Sequence, residues 1–235
     1  MAGERVFSQE ELDELSMDGL ERVRRSIKSG DTEQALADLE TLYNNLAFLH
    51  DCATCWLSSL LSYVYRNYGV EALKQAELVS HRIEGSLQMP PPESDDFKTV
   101  VSHTIRMLSG HVHQPVHVEE DDEKVTITVT PCGSGNMTVA RGWYDYGENG
   151  IAKVSEATDI TWGLEDFPVY CVHCPVQEML EVERTGYLKF AHEHELELSK
   201  DGKGVQCKYF IYKNRDDIPE KFYERIGAVK PAPGA

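Results

Sequence analysis

Three thiols and one imidazole fall in two short segments of this chain, and these side chains are the best suited to hold a soft metal ion or attack an electrophilic carbon. One segment is Tyr170-Cys171-Val172-His173-Cys174-Pro175; the other is Pro131-Cys132-Gly133-Ser134-Gly135. A thiolate is both a strong nucleophile and a good zinc ligand. Thiols also oxidise, so gathering them beside turn-forming Gly and Pro is a liability unless they do chemistry.

Cys171 and Cys174 have the C-x2-C spacing that chelates zinc, with His173 between them. A structural site would draw its remaining ligands from Cys132 and Cys207. A catalytic site needs three ligands and an open position, for which Cys132, His173 and Cys174 are the candidates. With no second close pair nearby, the incompletely coordinated, catalytic arrangement is the better reading. Zinc, or another soft divalent metal, is the implied cofactor.

Thiol catalysis is the second chemistry. Pro175 suits the first turn of a helix opening near Cys174, and a helix N-terminus lowers a thiol pKa. Glu178, one turn on and on the same face, would serve as ligand, acid or base. His173 is a doubtful base for Cys174, because neighbouring residues on a helix do not face each other. His50, followed by Asp51, is a further candidate for moving a proton. Plain packing competes with both chemistries, since buried Cys behaves as a small apolar side chain.

Weaker signals surround these. Cys52 and Cys55 also have chelate spacing, but at the start of an apolar helix, where packing is expected. His111, His113 and His117 read as a solvated loop, and His192 and His194, alternating with glutamates, as a solvated strand face. Gly133-Ser134-Gly135 could offer backbone amides to an anion, without the length or lysine of a phosphate loop. The Gly-rich stretch with Arg141, Trp143, Tyr144, Tyr146 and Trp162 suits either a pocket wall or a core plug.

Composition bounds the function. The 235 residues are 41 % hydrophobic and 27 % charged, enough for a sizeable core, and the net charge is −17. So acidic a surface repels phosphate backbones and anionic membranes, which argues against a nucleic-acid partner and leaves open a cationic, neutral or small anionic ligand in a local pocket. No apolar run reaches membrane-spanning length, and the N-terminus lacks the apolar core of a signal peptide. A cytoplasmic chain with six reduced cysteines is expected.

The positioning elements follow from periodicity. Ser16 to Ser29 carries Leu20, Val23 and Ile27 on one helical stripe, ended by Gly30. Asp31-Thr32-Glu33-Gln34 opens a helix bearing Leu36, Leu39, Leu42, Tyr43 and Leu46. Asp51 is expected to cap a third helix, Cys52 to Tyr68, apolar almost all round and therefore central. Gly69 breaks it, and a fourth runs from Val70 to about Leu87. Prolines 90–92 mark a linker, followed by a helix over Phe97 to Leu108. Alternation at Val116–Val118 and Val125–Val129 predicts a hairpin turning at Glu120–Glu123. Met137–Ala140 is expected as a strand, Cys174–Glu183 as a helix ended by Gly186. Tyr187–Phe190, Glu193–Leu198 and Val205–Tyr212 read as strands, the last two a hairpin around 201–204. A short helix follows Pro219.

From Cys174 onward the chain has a recognisable rhythm. Cys174, Glu178, Gly186, an acidic strand, a Gly turn, Cys207 and the strand Tyr209-Phe210-Ile211-Tyr212 resemble the tail of the 4-vinyl reductase domain. They are similar also to the tail of the L-2-amino-thiazoline-4-carboxylic acid hydrolase family. The resemblance covers about forty residues, and 97–212 more loosely; the helical N-terminal part lies outside it. It implies small-molecule binding and zinc held through cysteines, or opening of a cyclic C=N substrate, with Cys174 and Cys207 carried over. The middle cysteine common in vinyl reductase tails is missing; Cys171 and His173 precede the helix instead.

The expected architecture is α+β: a helical bundle over 1–89, a linker at 90–96, an α+β domain over 97–229 with an antiparallel sheet, and a frayed tail at 230–235. The expected function is a zinc- or thiol-dependent hydrolase or lyase acting on a small polar molecule. The alternative is a non-catalytic small-molecule sensor with a structural zinc site. A third reading is an interaction protein whose helical half forms a homodimer face.

Overall fold

The computed structural model describes residues 6–82, 96–111, 116–129, 132–144, 146–188, 191–195 and 206–234. The chain is α+β, with helices in its first half and a small antiparallel sheet in its second. It packs as two units, Met1–Ala53 and Thr54–Ala235, so the division falls within a long helix. The linker expected at 90–96 lies, apart from Asp96, outside the described residues.

The first unit holds α1 (Gln9–Leu15), α2 (Gly19–Ser29) and the start of α3 (Thr32–Arg82). Ser8 and Glu11 form a capping box on α1, and Asp18 caps α2 through the amides of Leu20 and Glu21. Gly30 ends α2 at φ 78°, as its lack of a Cβ allows. α2 lies against α3: Ser26 donates to Asp38 at 2.7 Å, and a Cβ on Gly19 would come within 3.0 Å of Leu42.

α3 does not restart at Asp51. The helix runs through His50 and Asp51, because nothing between Thr32 and Tyr68 is Gly or Pro. A capping residue cannot begin a helix that the preceding residues already propagate. The expected break at Gly69 is present, with φ 82° and ψ −178°.

The stretch expected to be central is not. Trp56, Leu60 and Tyr63 are exposed, and in the second unit α3 buries Thr54, Ser58 and Ser62 with Leu61. The Ser58 and Ser62 hydroxyls donate to carbonyls one turn back, at 2.6 Å each. Ser62 Oγ also accepts from the amide of Ala152 at 2.8 Å. Small, self-satisfied hydroxyls let the loop backbone approach α3 closely, which branched apolar side chains would prevent.

In the second unit α4 (Phe97–His111) precedes a hairpin of β1 (His117–Glu120) and β2 (Lys124–Val129). Asp121 fixes the turn by accepting from the amides of Glu123 and Lys124. Strand order is β1-β2-β6-β5, all antiparallel, with β5 at Ala191–Glu195 and β6 at Gln206–Tyr212. Val125, Ile127 and Ile211 pack with Leu108 on one sheet face. Phe210, on the other, joins the larger core around Phe167, Val176 and Tyr223. A two-stranded ribbon pairs β3 (Lys153–Val154) with β4 (Phe167–Pro168).

Met137–Ala140 is helix rather than strand: α5 spans Gly135–Ala140, with Thr138 Oγ1 donating to the Gly135 carbonyl. α6 (His173–Thr185) ends at Gly186 as expected, and α7 (Lys221–Glu224) follows Pro219. Tyr187 and Leu188 are not strand, and the turn at 201–204 lies outside the described residues. Two described residues of the expected tail are hydrogen-bonded to Asp216. Lys230 Nζ donates to the Asp216 carbonyl at 2.6 Å, and the Gly234 amide to the Asp216 carboxylate at 3.1 Å.

Candidate functional site

The second unit gathers Cys132, Cys171, Cys174 and Cys207. Cys207 sits on β6 opposite Val129, the last residue of β2, and Cys132 follows that strand before α5. Cys171 lies in the 3-10 turn Val169–Val172, and Cys174 is the second residue of α6. The Cys132 and Cys207 thiols are hydrogen-bonded to each other. Gly135 passes so close to Cys171 that a Cβ there would lie 2.5 Å from its sulfur. The glycine turn after Cys132 is therefore needed for close approach rather than for exposed amides.

The thiols share one electrostatic neighbourhood. Burial, then the Cys174 and Cys132 sulfurs, push the Cys171 pKa well up. Cys207 is pushed well up by its hydrogen bond to Cys132, by burial, and by the charges of Cys132, Cys171 and Cys174. Burial raises Cys174 too, followed by Cys132, Glu178 and Glu77, with Arg225 opposing. This corrects the expectation of an activated Cys174: desolvation and nearby anions outweigh the helix N-terminus. Tyr209, two residues along β6, is raised by burial and by the same sulfurs.

His173 does face Cys174, contrary to the expectation from helical spacing. Its Nδ1 lies 2.5 Å from the Tyr170 carbonyl, an acceptor only, so Nδ1 carries the proton. Nε2 then lies 3.4 Å from Cys174 Sγ, placed to accept from the thiol. At the first residue of α6 the ring folds back over the preceding turn, where regular helix-face geometry does not yet apply.

Glu178 is fully buried but is held at both oxygens. Arg225 Nη2 donates to Oε1 and Oε2 at 2.7 and 3.0 Å, and the Trp162 indole donates to Oε2 at 2.7 Å. The Arg225 guanidinium also lies 4.4 Å over the Trp162 ring. Trp162 takes φ 53°, a left-handed conformation unusual for a large side chain, and Glu178 fixes it there. Both oxygens of this carboxylate are thus engaged by donors.

His50 lies in the first unit, with Nδ1 3.6 Å from Asp51 Oδ1. Cys52 and Cys55 are partly buried free thiols one turn apart on α3. His117 is exposed beside Glu119, and His113 lies outside the described residues. Backbone register sets His194 opposite Cys207 and His192 opposite Tyr209. Trp143 and Tyr144 pack against the core and Trp162 is within it, so these loop aromatics plug the interior, while Tyr146 is exposed.

Sequence reasoning missed Glu77, His81, Tyr209 and Arg225. Glu77 is 2 % exposed on α3; one oxygen lies 3.3 Å from His81 Nδ1 and the other has no hydrogen-bond partner among the described residues. A signal for it existed, since Val70, Leu73 and Glu77 fall on one helical stripe and put a carboxylate where an apolar residue is due. His81 stacks on His173, centroids 6.4 Å apart. It also lines a groove of about 350 Å³ with Arg82, Gln177, Leu180, Glu181, Glu183 and Arg184. Arg225 gave no signal, because its partners are remote in sequence.

As the side chains stand, no three His, Cys, Asp or Glu among the described residues form a ready coordination shell. Among the described residues no helix is long and apolar enough to cross a membrane. No family model, curated protein or solved structure matches the chain.

Proposed function

We propose that the second unit is a small-molecule-binding module built on a zinc site, with Cys132, Cys171, Cys174 and Cys207 as ligands. The observation that supports it is the mutual influence of these thiols, which fall in one neighbourhood and raise one another's pKa values. A bound divalent cation would deprotonate them outright and turn their repulsion into ligation. Four sulfurs complete a tetrahedron and leave no open position, which favours a sensor over an enzyme. The raised thiol pKa values count against Cys174 as a free nucleophile. A reducing, cytoplasmic setting suits six free cysteines.

The contact of His173 Nε2 with Cys174 favours a second reading, a hydrolase or lyase acting on a small polar molecule. Here Cys132, His173 and Cys174 would hold zinc with an open position for water. The groove walled by His81 would admit the substrate.

Metal content of the chain purified without chelator tests both. Under the first reading each of four Cys→Ser variants loses zinc, and His173→Gln keeps it. Under the second, His173→Gln loses zinc, and Cys171→Ser and Cys207→Ser keep it. A wild-type chain that takes up no zinc, with no proton release on titration, overturns both.

A further inference from the structure

We infer that Cys132 and Cys207 form a thiol-oxidation site, a pair that a hydroperoxide joins as a disulfide beyond the end of the β2–β6 ladder. The inference concerns the metal-free chain and does not depend on the zinc reading. It starts from contact: the two thiols are hydrogen-bonded to each other. Thiols that already touch need only small rotations about their Cα–Cβ bonds to reach bonding distance.

The sheet explains why this pair can adjust. Cys207 lies opposite Val129 in the last pair of the β2–β6 register, and Cys132 follows beyond that pair, outside β2. A residue past the ladder is not held by cross-strand hydrogen bonds, so its Cβ can turn toward the partner sulfur. The neighbouring thiols are engaged differently. Cys174 Sγ lies 3.4 Å from His173 Nε2, and Cys171 is buried with Gly135 packed against its sulfur. Cys132 and Cys207 are each partly exposed, which lets a small oxidant reach them.

The oxidant balances the step. One thiol sulfur attacks a peroxide oxygen, the O–O bond breaks, and the thiol proton leaves with the departing oxygen as water. The product is a sulfenic acid. The second sulfur then attacks the first; the S–S bond forms, the S–O bond breaks, and a second water leaves. The two thiols lose two protons and two electrons, and hydrogen peroxide takes up both. A dithiol reductant reverses the bond by exchange.

A disulfide and a metal ion cannot share these sulfurs. Where zinc is held by the four cysteines as proposed above, oxidation removes two ligands and releases the ion. This consequence alone rests on that reading.

The test uses the full chain, reduced, stripped of metal with a chelator and exposed to a slight molar excess of hydrogen peroxide. Remaining thiols are alkylated in urea, and the digest is mapped by mass spectrometry. The expected product links the Cys132 peptide to the Cys207 peptide, is reversed by dithiothreitol, and leaves Cys171 and Cys174 alkylated. Cys132→Ser should keep its remaining thiols under the same exposure. A Cys171–Cys174 bond as main product, Cys132 and Cys207 both still alkylated, or a Cys132→Ser chain that loses thiols as fast as wild type overturns the inference. If Cys132→Ser does not fold, the wild-type map decides alone. A zinc-loaded chain should release its zinc in step with the disulfide, read with a chromogenic chelator. Zinc retained after the bond has formed overturns the coupling. A chain that takes up no zinc overturns the zinc reading, and the disulfide is then judged by the map.

Discussion

Arg225 closes on Glu178, Nη2 lying 2.7 Å from Oε1, and thereby ties the segment after α7 to the helix that carries Cys174. Glu178 is wholly buried and Arg225 partly so. Removing one partner of such a pair strands the other charge, at a cost of about 3–5 kcal/mol, whereas removing both costs less. Glu178→Gln and Arg225→Met should each lower the urea midpoint sharply, and the double variant should recover part of the loss. Independent, additive effects would show that the pair is not coupled.

Gly135→Ala places a methyl group against the Cys171 sulfur. Overpacking of this kind costs about 1–3 kcal/mol. Thermal unfolding should show the loss; under the proposed zinc site, metal uptake should also weaken, because Cys171 is displaced.

Ser62 is expected to matter more than its neighbour Ser58. Ser62→Ala leaves the buried Ala152 amide without its acceptor, a loss of about 1–3 kcal/mol. Ser58→Ala removes only a bond to the Thr54 carbonyl within the helix and should cost less than about 1 kcal/mol. Equal midpoints for the two variants would contradict the role given to Ser62.

Alkaline conditions should destabilise the metal-free chain. Cys171, Cys174, Cys207 and Tyr209 are all raised well above their ordinary values, and Tyr170 is pushed up to about 12. Below the pKa of an unfolded thiol both states keep their protons and stability is complete. Above it the unfolded chain releases protons first, so stability falls as pH rises toward the folded values. Urea midpoints measured upward from about pH 8 should therefore decline, and Cys171→Ser should flatten the slope. A rising or flat wild-type profile would mean the thiols are not buried together.

Much of the fold was legible because it depends on local rules. Gly30, Gly69 and Gly186 end helices where the chain needs positive φ, and β2 alternates apolar and polar residues along its length. Asp51 misled because capping preference is weak against a long run of helix formers. Met137–Ala140 misled because four residues carry too little periodicity to separate strand from helix. Trp56 and Leu60 misled because apolar composition says nothing about which face a helix buries. Here it buries serines, and the aromatic face stays exposed.

By itself the sequence determined the α+β class and which side chains could do chemistry: thiols and an imidazole in two short segments of an acidic chain. It named Cys132, Cys171, Cys174 and Cys207 as candidate ligands of one site, on residue type and spacing alone. Only the tertiary structure decided that β2, β6 and the start of α6 bring the four into one neighbourhood, partly buried except for the buried Cys171, that Glu178 is locked by Arg225 and Trp162, and that His173 reaches Cys174. The physical reason is range. Caps, turns and periodicity act within a few residues, whereas burial, pKa and ion pairing depend on neighbours that only folding supplies.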